Sequence, residues 1–320
     1  MNNVTQQIYR IGIVPVVVIH DAENAVELAK ALIRGGIETA EITLRTPAAL
    51  DAIQRIAKEV PEVLVGAGTV TSVELAEQAI QAGAKYIVSP GLNPRVVTFC
   101  LERNIPILPG VSTPTEIEAA MELGLTQCKF FPAEQSGGCK MLAALASPYS
   151  KMKFIPTGSI DSHNLNEYLN LPNVLACGGS WMCPASLIDA RKFDEIEALC
   201  HKAVMDMHGF SLLHVGLNSK NAEEASTNAN RFASMFSLPV TEFPGAYFAG
   251  SLMEVVKQPF LGEHGHIAIR TNNVDRAVAY FEKRGYAFRS EGLAQDEKGI
   301  IAIYFEQEIG GFALHLRRKN

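Results

Sequence analysis

Lys129 is the residue of this sequence whose type and position offer the most distinctive chemistry. It lies in the segment Cys128–Glu134, at the end of a short apolar run that is typical of a buried β-strand. Burial strips an ammonium group of its hydration and favours the neutral amine, which is a nucleophile. Such an amine can attack a ketone and form a Schiff base. An isolated lysine would more often end a strand and extend its charge into water, so the surrounding pattern must decide.

A second group of reactive side chains ends the second apolar run, in the segment Glu41-Ile42-Thr43-Leu44-Arg45. Strand alternation predicts that Glu41 and Arg45 share one face and point into the protein, where an unpaired charge is costly. Glu41 is therefore a candidate proton carrier. Arg45 is a candidate ligand for a substrate carboxylate, because its guanidinium group can donate two parallel hydrogen bonds. The alternative is a structural ion pair between Glu41 and Arg45.

Short apolar runs that alternate with amphipathic helices must position these residues, and they continue to about residue 207. The runs are Ile13–Ile19, Thr39–Leu44, Leu64–Thr69, Tyr86–Gly91, Pro106–Ser112, Gln127–Glu134, Lys153–Ile160 and Val174–Trp181. Helices are predicted at Asp21–Arg34, Ser72–Ala82 and Thr115–Leu123. Eight units in about 200 residues favour an α/β fold of the (β/α)8 TIM-barrel type. A doubly wound sheet is the alternative, but no early Gly-x-Gly-x-x-Gly supports it.

Lys129 then falls at the C-terminal ends of the strands, where TIM barrels carry their chemistry. The seventh and eighth strands end in Gly158-Ser159 and Gly178-Gly179-Ser180. Loops at these two places often bind phosphate through backbone N–H groups. Together with the lysine and the arginine, they indicate a phosphorylated 2-keto acid as the ligand.

The overall composition excludes several classes of function. The 320 residues carry a formal charge of −6, which argues against a nucleic-acid partner. The sequence has no run of about 18 apolar residues, and its first residues lack the pattern of a signal peptide, so no membrane partner is expected. The six cysteines form no Cys-x-x-Cys pair and no zinc motif, which predicts free thiols in the cytoplasm.

Four segments, in this order, closely resemble bacterial 2-keto-3-deoxy-6-phosphogluconate aldolases, a family that includes 4-hydroxy-2-oxoglutarate aldolases. They are Glu41–Thr46, Val65–Val70, Lys129–Glu134 and Gly178–Trp181. The resemblance spans about residues 7–207 and implies a class I aldolase of the Entner–Doudoroff pathway. It also implies a homotrimer that needs no metal. The expected products are pyruvate and either glyceraldehyde 3-phosphate or glyoxylate.

The same resemblance implies a role for each matching residue. Lys129 would form the Schiff base, Glu41 would act as general acid and base through a water, and Phe131 would pack against the substrate. Three residues would surround the pyruvate carboxylate: Arg45, Thr69 and Pro90. Five residues would form the phosphate site: Gly158, Ser159, Gly178, Gly179 and Ser180. The family commonly has a glycine in place of Ser159, which leaves the preferred aldehyde open.

Residues 208–320 lie beyond that resemblance, and His208-Gly209 marks the predicted boundary between domains 1–207 and 208–320. The extension is predicted to be a smaller α+β domain of paired βαβββ modules. The first module comprises Leu212–Asn218, a helix at Ala222–Phe236 and Leu252–Val256. The second comprises His266–Thr271, a helix at Val274–Arg284 and Phe312–Leu316.

This extension resembles the glyoxalase-like (vicinal-oxygen-chelate) superfamily. There, the first and last strands of each module supply metal ligands, which would be His214, Glu254, His266 and His315. Imidazole and carboxylate suit a divalent metal, although the fourth position is commonly a carboxylate rather than a histidine. The alternatives are a domain that keeps only the fold, one that binds an organic ligand without metal, and one that makes oligomer contacts.

Two other functions compete with the aldolase. One is a non-catalytic sensor that binds a keto acid in the barrel and uses the C-terminal domain as its output. The other is a phosphate-binding barrel isomerase, which leaves Lys129 unexplained. The expected partner of the aldolase is a small phosphorylated or unphosphorylated 2-keto acid.

Overall fold

The structure, a computed structural model, describes residues 3–297 and 299–319. The chain divides between Met207 and His208 into two compact units. Within the described residues, no helix is both long and apolar enough to cross a membrane.

The first unit alternates short strands with helices, as the sequence pattern predicts. Its strands are β1 (Ile13–Val17), β2 (Thr39–Thr43), β3 (Leu64–Gly68), β4 (Ile87–Val88), β5 (Ile107–Leu108), β6 (Gly110–Val111), β7 (Gln127–Phe130), β8 (Lys153–Pro156) and β9 (Cys177–Gly179). Its helices are α1 (Asn3–Ile11), α2 (Ala25–Arg34), α3 (Ala49–Glu59), α4 (Val73–Gln81), α5 (Pro94–Glu102), α6 (Pro114–Glu122), α7 (Gly138–Ala146), α8 (Leu165–Leu169), α9 (Ala185–Asp189) and α10 (Phe193–His208). The predicted runs continue past most of these strands, because their last residues leave the ladder and form loops.

All strand pairs of this unit are parallel. One sheet has the order β5-β4-β3-β2-β1-β9, and a second has the order β6-β7-β8. Strands β5 and β6 are separated only by Pro109, which has no N–H to donate to a ladder. The other end strands of the two sheets, β8 and β9, are connected by an isolated β-bridge between Thr157 and Gly178. This arrangement is consistent with a TIM barrel, in which the C-terminal strand ends gather at one edge.

An apolar cluster fills the inside of this unit: Ile8, Val14, Tyr86, Val88, Leu108, Ile155, Leu175 and Ala176. Val4 and Tyr9 of α1 pack against it. Full burial of one such aliphatic side chain stabilises the fold by roughly 1.5–3 kcal/mol. This apolar packing holds the strands together. The polar residues at their C-terminal ends are therefore not needed for stability and are available for chemistry.

The second unit repeats a strand, a helix and three strands twice. The first repeat contains β10 (Ser211–Asn218), α11 (Ala222–Phe236), β11 (Val240–Glu242), β12 (Ala246–Ala249) and β13 (Met253–Val256). The second repeat contains β14 (Gly265–Thr271), α12 (Val274–Glu282), β15 (Ala294–Asp296), β16 (Gly299–Ile309) and β17 (Phe312–Arg318). They form one mixed sheet of order β11-β12-β13-β10-β14-β17-β16-β15.

Both helices of the second unit cover apolar residues of this sheet. Leu217 and Val255 pack with α11, whereas Ile269 and Leu316 pack with α12. Because side chains alternate along a strand, the residues next to these point to the opposite face. That face carries all four of the predicted metal ligands.

His208 is a buried histidine where the second unit begins, with 2% of its surface exposed. Its ring stacks on Phe210 at 4.9 Å and tilts against Tyr280 at 4.8 Å between centroids. Burial, followed by the charges of Arg276 and Arg284, lowers the pKa of His208 to about 3. The side chain is therefore neutral in the folded protein near neutral pH.

Candidate active site

Lys129 and Glu41 form a buried ion pair in the first unit. Lys129 lies on β7 and Glu41 on β2, and their side chains are 6% and 4% exposed. Lys129 Nζ donates a hydrogen bond to Glu41 Oε1 at 3.2 Å. Because a buried charge is costly without a partner, each residue stabilises the other in this position. Glu41 therefore pairs with Lys129, and the alternative of a structural pair between Glu41 and Arg45 is wrong.

Gly68 provides the space that the Glu41 carboxylate occupies. A Cβ atom at Gly68 would lie 2.2 Å from Glu41 Oε1, a distance that no real contact allows. Gly68 ends β3 and pairs with Thr43 of β2, so the two residues are neighbours across the sheet. In the sequence, Gly68 belongs to Val65–Val70, one of the four segments that resemble the aldolases.

Arg45 does not extend the strand alternation that the sequence predicted. Strand β2 ends at Thr43, and Arg45 is an exposed residue of the following turn. The turn begins where the Arg45 N–H donates to the Thr43 carbonyl at 2.8 Å. Arg45 Nε donates to Thr69 Oγ1 at 3.1 Å, which brings together two residues expected at the carboxylate. An exposed guanidinium group remains accessible to an incoming anion.

The Phe131 ring lies beside Lys129, and the loop of Pro90 lies beside Gly110, which is the strand neighbour of Lys129. Lys129 Nζ lies 5.2 Å from the centroid of the Phe131 ring, within the range of a cation–π contact. Gly110 pairs with Lys129 between β6 and β7. A Cβ atom at Gly110 would lie 2.1 Å from the Pro90 carbonyl oxygen, so the loop after β4 passes directly beside this position.

The two glycine-containing loops follow neighbouring strands. The bridge between Thr157 and Gly178 places Gly158 and Ser159 next to Gly179 and the loop that follows it. Gly158 and Ser159 both have positive φ, at 111° and 56°. A non-glycine residue in this region costs about 1–2 kcal/mol, so Ser159 is held there by its surroundings. Ser180 is exposed in the adjacent loop.

A network that the sequence did not suggest connects the loop after β7 to the loop after β8. Tyr168 Oη donates to Glu134 Oε1, and burial together with this bond raises the pKa of Tyr168. Asn164 Nδ2 donates to Glu134 Oε1 at 3.4 Å and to the Ser159 carbonyl at 3.0 Å. Gln135 Nε2 donates to Ser159 Oγ at 3.1 Å. Hydrogen bonds from Gln135 and Asn164 therefore hold Ser159 directly. Glu134 holds it indirectly, because it accepts from Asn164 and Tyr168.

The buried thiols of Cys128 and Cys183 are not competing nucleophiles. All six are free thiols, as predicted. Burial raises the pKa of Cys128, next to Lys129, to about 12, and that of Cys183 to about 12. The thiolate is the reactive form, so these two groups are inert near neutral pH.

The N-terminal unit has many known relatives. Residues 4–199 match the family described as KDPG and KHG aldolase. The chain belongs to this aldolase family. It is 50% identical over 204 residues to the 2-dehydro-3-deoxy-phosphogluconate aldolase of Treponema pallidum (strain Nichols), covering 64% of this chain and 97% of that protein. It is 47% identical over 192 residues to the KHG/KDPG aldolase of Escherichia coli (strain K12), covering 60% and 90%.

A solved structure of this aldolase family has the same fold. The crystal structure of KDPG aldolase from Legionella pneumophila is 37% identical, with a TM-score of 0.61, and covers 63% of this chain and 98% of that chain. It contains pyruvate captured as a covalent carbinolamine intermediate. The family resemblance drawn from four motifs is therefore confirmed over about the first 200 residues.

The second unit contains a separate cluster of ionisable residues. His214 Nε2 lies 3.1 Å from His266 Nε2, and Glu254 Oε2 lies 2.9 Å from the first and 3.3 Å from the second. Ligand atoms of His214, His266 and His315 all lie within 4.8 Å of one another. Burial raises the pKa of Glu254, but its hydrogen bonds to the two histidines outweigh this and hold it at about 2. Glu254 is therefore ionised.

The donor set fits a divalent metal ion. Ligand atoms bonded at about 2.0–2.1 Å to one ion lie about 3 Å apart, close to the spacings among His214, His266 and Glu254, and His315 lies within 4.8 Å of both histidines. Both ring nitrogens of the buried His315 lack a hydrogen-bond partner among the described residues, as does His266 Nδ1. A buried imidazole without partners is costly, so these nitrogens are suited to binding a ligand.

The surroundings of this cluster fix the orientation of its rings. A Cβ atom at Gly216, opposite His266 in the sheet, would lie 2.1 Å from His266 Cε1. Tyr304 stacks on His315 with ring centroids 4.6 Å apart, and Phe248 contacts His214 edge-on at 5.6 Å. The sequence predicted the four polar residues but none of these three neighbours.

Proposed function

We propose that the N-terminal unit is a class I aldolase that cleaves 2-keto-3-deoxy-6-phosphogluconate to pyruvate and glyceraldehyde 3-phosphate. The same site would cleave 4-hydroxy-2-oxoglutarate to pyruvate and glyoxylate. The observation that carries this proposal is the buried contact of 3.2 Å between Lys129 Nζ and Glu41 Oε1. It supports the pairing of a nucleophile, Lys129, with a proton carrier, Glu41, inside a barrel-type fold.

Substrate binding uses the groups around this pair. The guanidinium group of Arg45, steadied by Thr69, binds the substrate carboxylate near the ketone, beside the loop of Pro90. The Phe131 ring packs against the carbon chain. A phosphate at the far end binds the backbone N–H groups of the loops that contain Gly158, Ser159, Gly178, Gly179 and Ser180.

The chemistry begins when Glu41 takes a proton from Lys129, which leaves a neutral amine. Lys129 Nζ attacks the C2 ketone to give a carbinolamine, and Glu41 returns its proton to the carbinolamine hydroxyl group, which leaves as water and gives a protonated imine. The imine withdraws electrons as the C3–C4 bond breaks, while Glu41 removes the proton of the C4 hydroxyl group. The aldehyde leaves, Glu41 returns the proton to C3 of the enamine, and water hydrolyses the imine to release pyruvate and the free lysine.

The aldolase mechanism uses residues that the two alternative functions leave without a role. A keto-acid sensor needs Arg45 but has no use for an imine. A phosphate-binding isomerase needs the glycine loops but not a buried lysine. Neither alternative requires Lys129 and Glu41 to be in contact within the protein.

Borohydride reduction in the presence of pyruvate tests the aldolase proposal. We expect a reduced pyruvate adduct on Lys129, identified by peptide mass spectrometry. Lys129→Ala should fold normally and lose nearly all turnover, followed by pyruvate release coupled to NADH oxidation. Retention of a tenth of the activity by this variant would exclude the covalent mechanism. A folded wild-type protein without an adduct would favour the sensor.

We also infer that residues 208–320 form a glyoxalase-like domain in which His214, Glu254, His266 and His315 hold a divalent metal ion. The orphaned nitrogens of His315 support this proposal. A bound ion would act as a Lewis acid that polarises an oxygen atom of a ligand. The protein's own part is to fix the imidazole rings, through Tyr304 stacking on His315.

Titration of the chelator-treated full-length chain with Mn²⁺ tests the metal proposal. We expect one ion per chain with micromolar affinity, and at least tenfold weaker binding in His315→Ala. His264→Ala is the matched control, because His264 is an exposed histidine in the same unit. No binding of Mn²⁺ or Zn²⁺ in the micromolar range would overturn the proposal.

We propose that the chain forms a homotrimer, as its resemblance to the aldolases implies. Sedimentation equilibrium should then give three times the mass of 34.7 kDa. A concentration-independent monomer would contradict this.

A further inference from the structure

Arg317 is a charged residue whose position has no explanation in the fold of the second unit. It lies on β17, two residues after His315, and therefore on the same face of the sheet as the histidine cluster. Its side chain has no hydrogen bond or ion pair with any other described residue. Its neighbour Arg318 points to the other face and forms an ion pair with Asp296 at 2.5 Å. The charge of Arg318 is therefore paired with a carboxylate, whereas the charge of Arg317 has no such partner among the described residues.

Arg270 increases the positive charge beside Arg317. The two residues are directly opposite each other on β14 and β17. Arg270 Nε donates to Ser211 Oγ at 3.3 Å, and within the described part of the chain no carboxylate pairs with it. Like charges that face each other across a sheet are destabilising. An anion bound here would offset this repulsion.

A cavity of about 540 Å³ opens beside Arg317. Arg317, His214 and Glu254 line it together with the aromatic rings of Phe243 and Phe248. The two rings meet edge to face with centroids 5.4 Å apart, and Phe243 is 50% exposed. The volume is typical of a site for a small organic molecule, and the combination of apolar walls with few charged groups is typical of such sites.

We propose that this cavity binds a small organic carboxylate with an apolar body, and that Arg317 holds its carboxylate. The guanidinium fork forms two parallel hydrogen bonds with a carboxylate, and the rings of Phe243 and Phe248 cover the apolar part. This inference goes beyond the metal proposal for the same unit, because it depends on Arg317 and the two aromatic rings and not on a bound ion.

Fluorine NMR of the full-length chain with 4-fluorophenylacetate tests this proposal. The neutral 4-fluorophenylacetamide has the same shape without the charge and is the matched probe. We expect the acid to bind with a millimolar or tighter Kd and the amide at least tenfold more weakly. Arg317→Ala should weaken binding of the acid at least tenfold, and Arg317→Lys less, because lysine keeps the charge without the fork.

Two control variants locate the binding. Arg318→Ala should bind the acid as the wild type does, because Arg318 points away from the cavity. Arg45→Ala should also bind it normally, which shows that the probe does not occupy the barrel. With Mn²⁺ bound, the fluorine signal should relax faster than with Zn²⁺, since the probe then lies near a paramagnetic ion.

The outcomes separate this inference from the metal proposal. Equal affinity for acid and amide, an unaffected Arg317→Ala, or no binding of the acid at 10 mM would overturn the carboxylate site. Binding that depends on Arg317 in a protein that takes up no Mn²⁺ would support the carboxylate site and contradict the metal. Uptake of Mn²⁺ without binding of the acid would support the metal and overturn the carboxylate site.

Discussion

Replacing Glu41 with glutamine is the sharpest test of proton transfer in the N-terminal unit. Glu41 Oε1 lies 3.2 Å from Lys129 Nζ, and the two side chains are 4% and 6% exposed. Glutamine keeps the shape and one acceptor oxygen, but it cannot take up a proton. Opposite unit charges at 3.2 Å attract each other by about 5 kcal/mol at an effective dielectric constant of about 20. The substitution therefore removes both the proton carrier and the counter-charge of the lysine.

We expect turnover of Glu41→Gln to fall by about 10²- to 10⁴-fold, the usual contribution of a general acid–base group. This corresponds to about 3–5.5 kcal/mol of activation free energy. Borohydride should still trap pyruvate on Lys129, because the nucleophile is intact. Exchange of the pyruvate methyl protons with D₂O, followed by NMR, should slow in parallel with turnover, because both require a proton carrier at C3.

Glu197→Gln is the matched control. Glu197 lies on α10 and pairs with Arg34 at 2.5 Å on the outside of the unit. The turnover of Glu197→Gln should therefore stay within twofold of the wild type. Turnover of Glu41→Gln within threefold of the wild type would refute the assignment of Glu41. A folded Glu41→Gln variant that no longer traps pyruvate would show that Glu41 holds the lysine in position rather than carrying protons.

Three other substitutions test the packing of both units. Gly68→Ala places a methyl group where the Glu41 carboxylate lies, so turnover should fall at least tenfold while borohydride trapping persists. Gly216→Ala should displace the His266 ring and weaken Mn²⁺ binding at least tenfold, measured by titration. The pKa of about 3 of buried His208 lies below its ordinary value, so stability is present above about pH 6.5 and is lost as the pH falls towards 3. At pH 5 this effect should lower the unfolding free energy of the wild type by about 2 kcal/mol, and His208→Phe should not show it. Hydrogen exchange of the β14 amides measures the difference.

Each of these predictions has an outcome that contradicts it. Unchanged turnover in Gly68→Ala would mean that the carboxylate can work from another position. Gly245→Ala is the control for Gly216→Ala, because a Cβ atom at Gly245 meets nothing within 4 Å. Equal Mn²⁺ binding by these two variants would argue that His266 is not a ligand. If wild type and His208→Phe lose protection equally between pH 8 and 5, other groups cause the pH dependence.

The sequence predicted the elements of both units well, because their patterns are local. The helix expected at Ala222–Phe236 has those bounds in the structure, and each of the eight expected runs contains a strand or strand pair. Helix and strand periodicity depends on residues a few positions apart in the chain, and a single sequence shows these directly. The four motifs of the first unit were specific enough to identify its family.

The errors and omissions concern contacts between distant segments. Arg45 was expected on the strand, but the ladder ends two residues earlier and a turn takes it to the surface. The pair of Lys129 with Glu41 joins residues 88 positions apart, and only the strand order places β7 and β2 around the same interior. Arg317 was missed although its spacing from His315 was visible, because a charged residue near a strand end is usually solvated.

The glycines of the two sites show most clearly what a single sequence cannot display. Gly68 leaves room for the carboxylate of Glu41, and Gly216 leaves room for the ring of His266, each from an adjacent strand. Either glycine, read alone, is only a turn signal or a weak point in a strand. Their meaning depends on the register that pairs β2 with β3 and β10 with β14. In both units, therefore, a missing side chain on one strand positions an ionisable side chain on the next, and the reactive residue and its facing glycine have to be substituted separately to distinguish chemistry from packing.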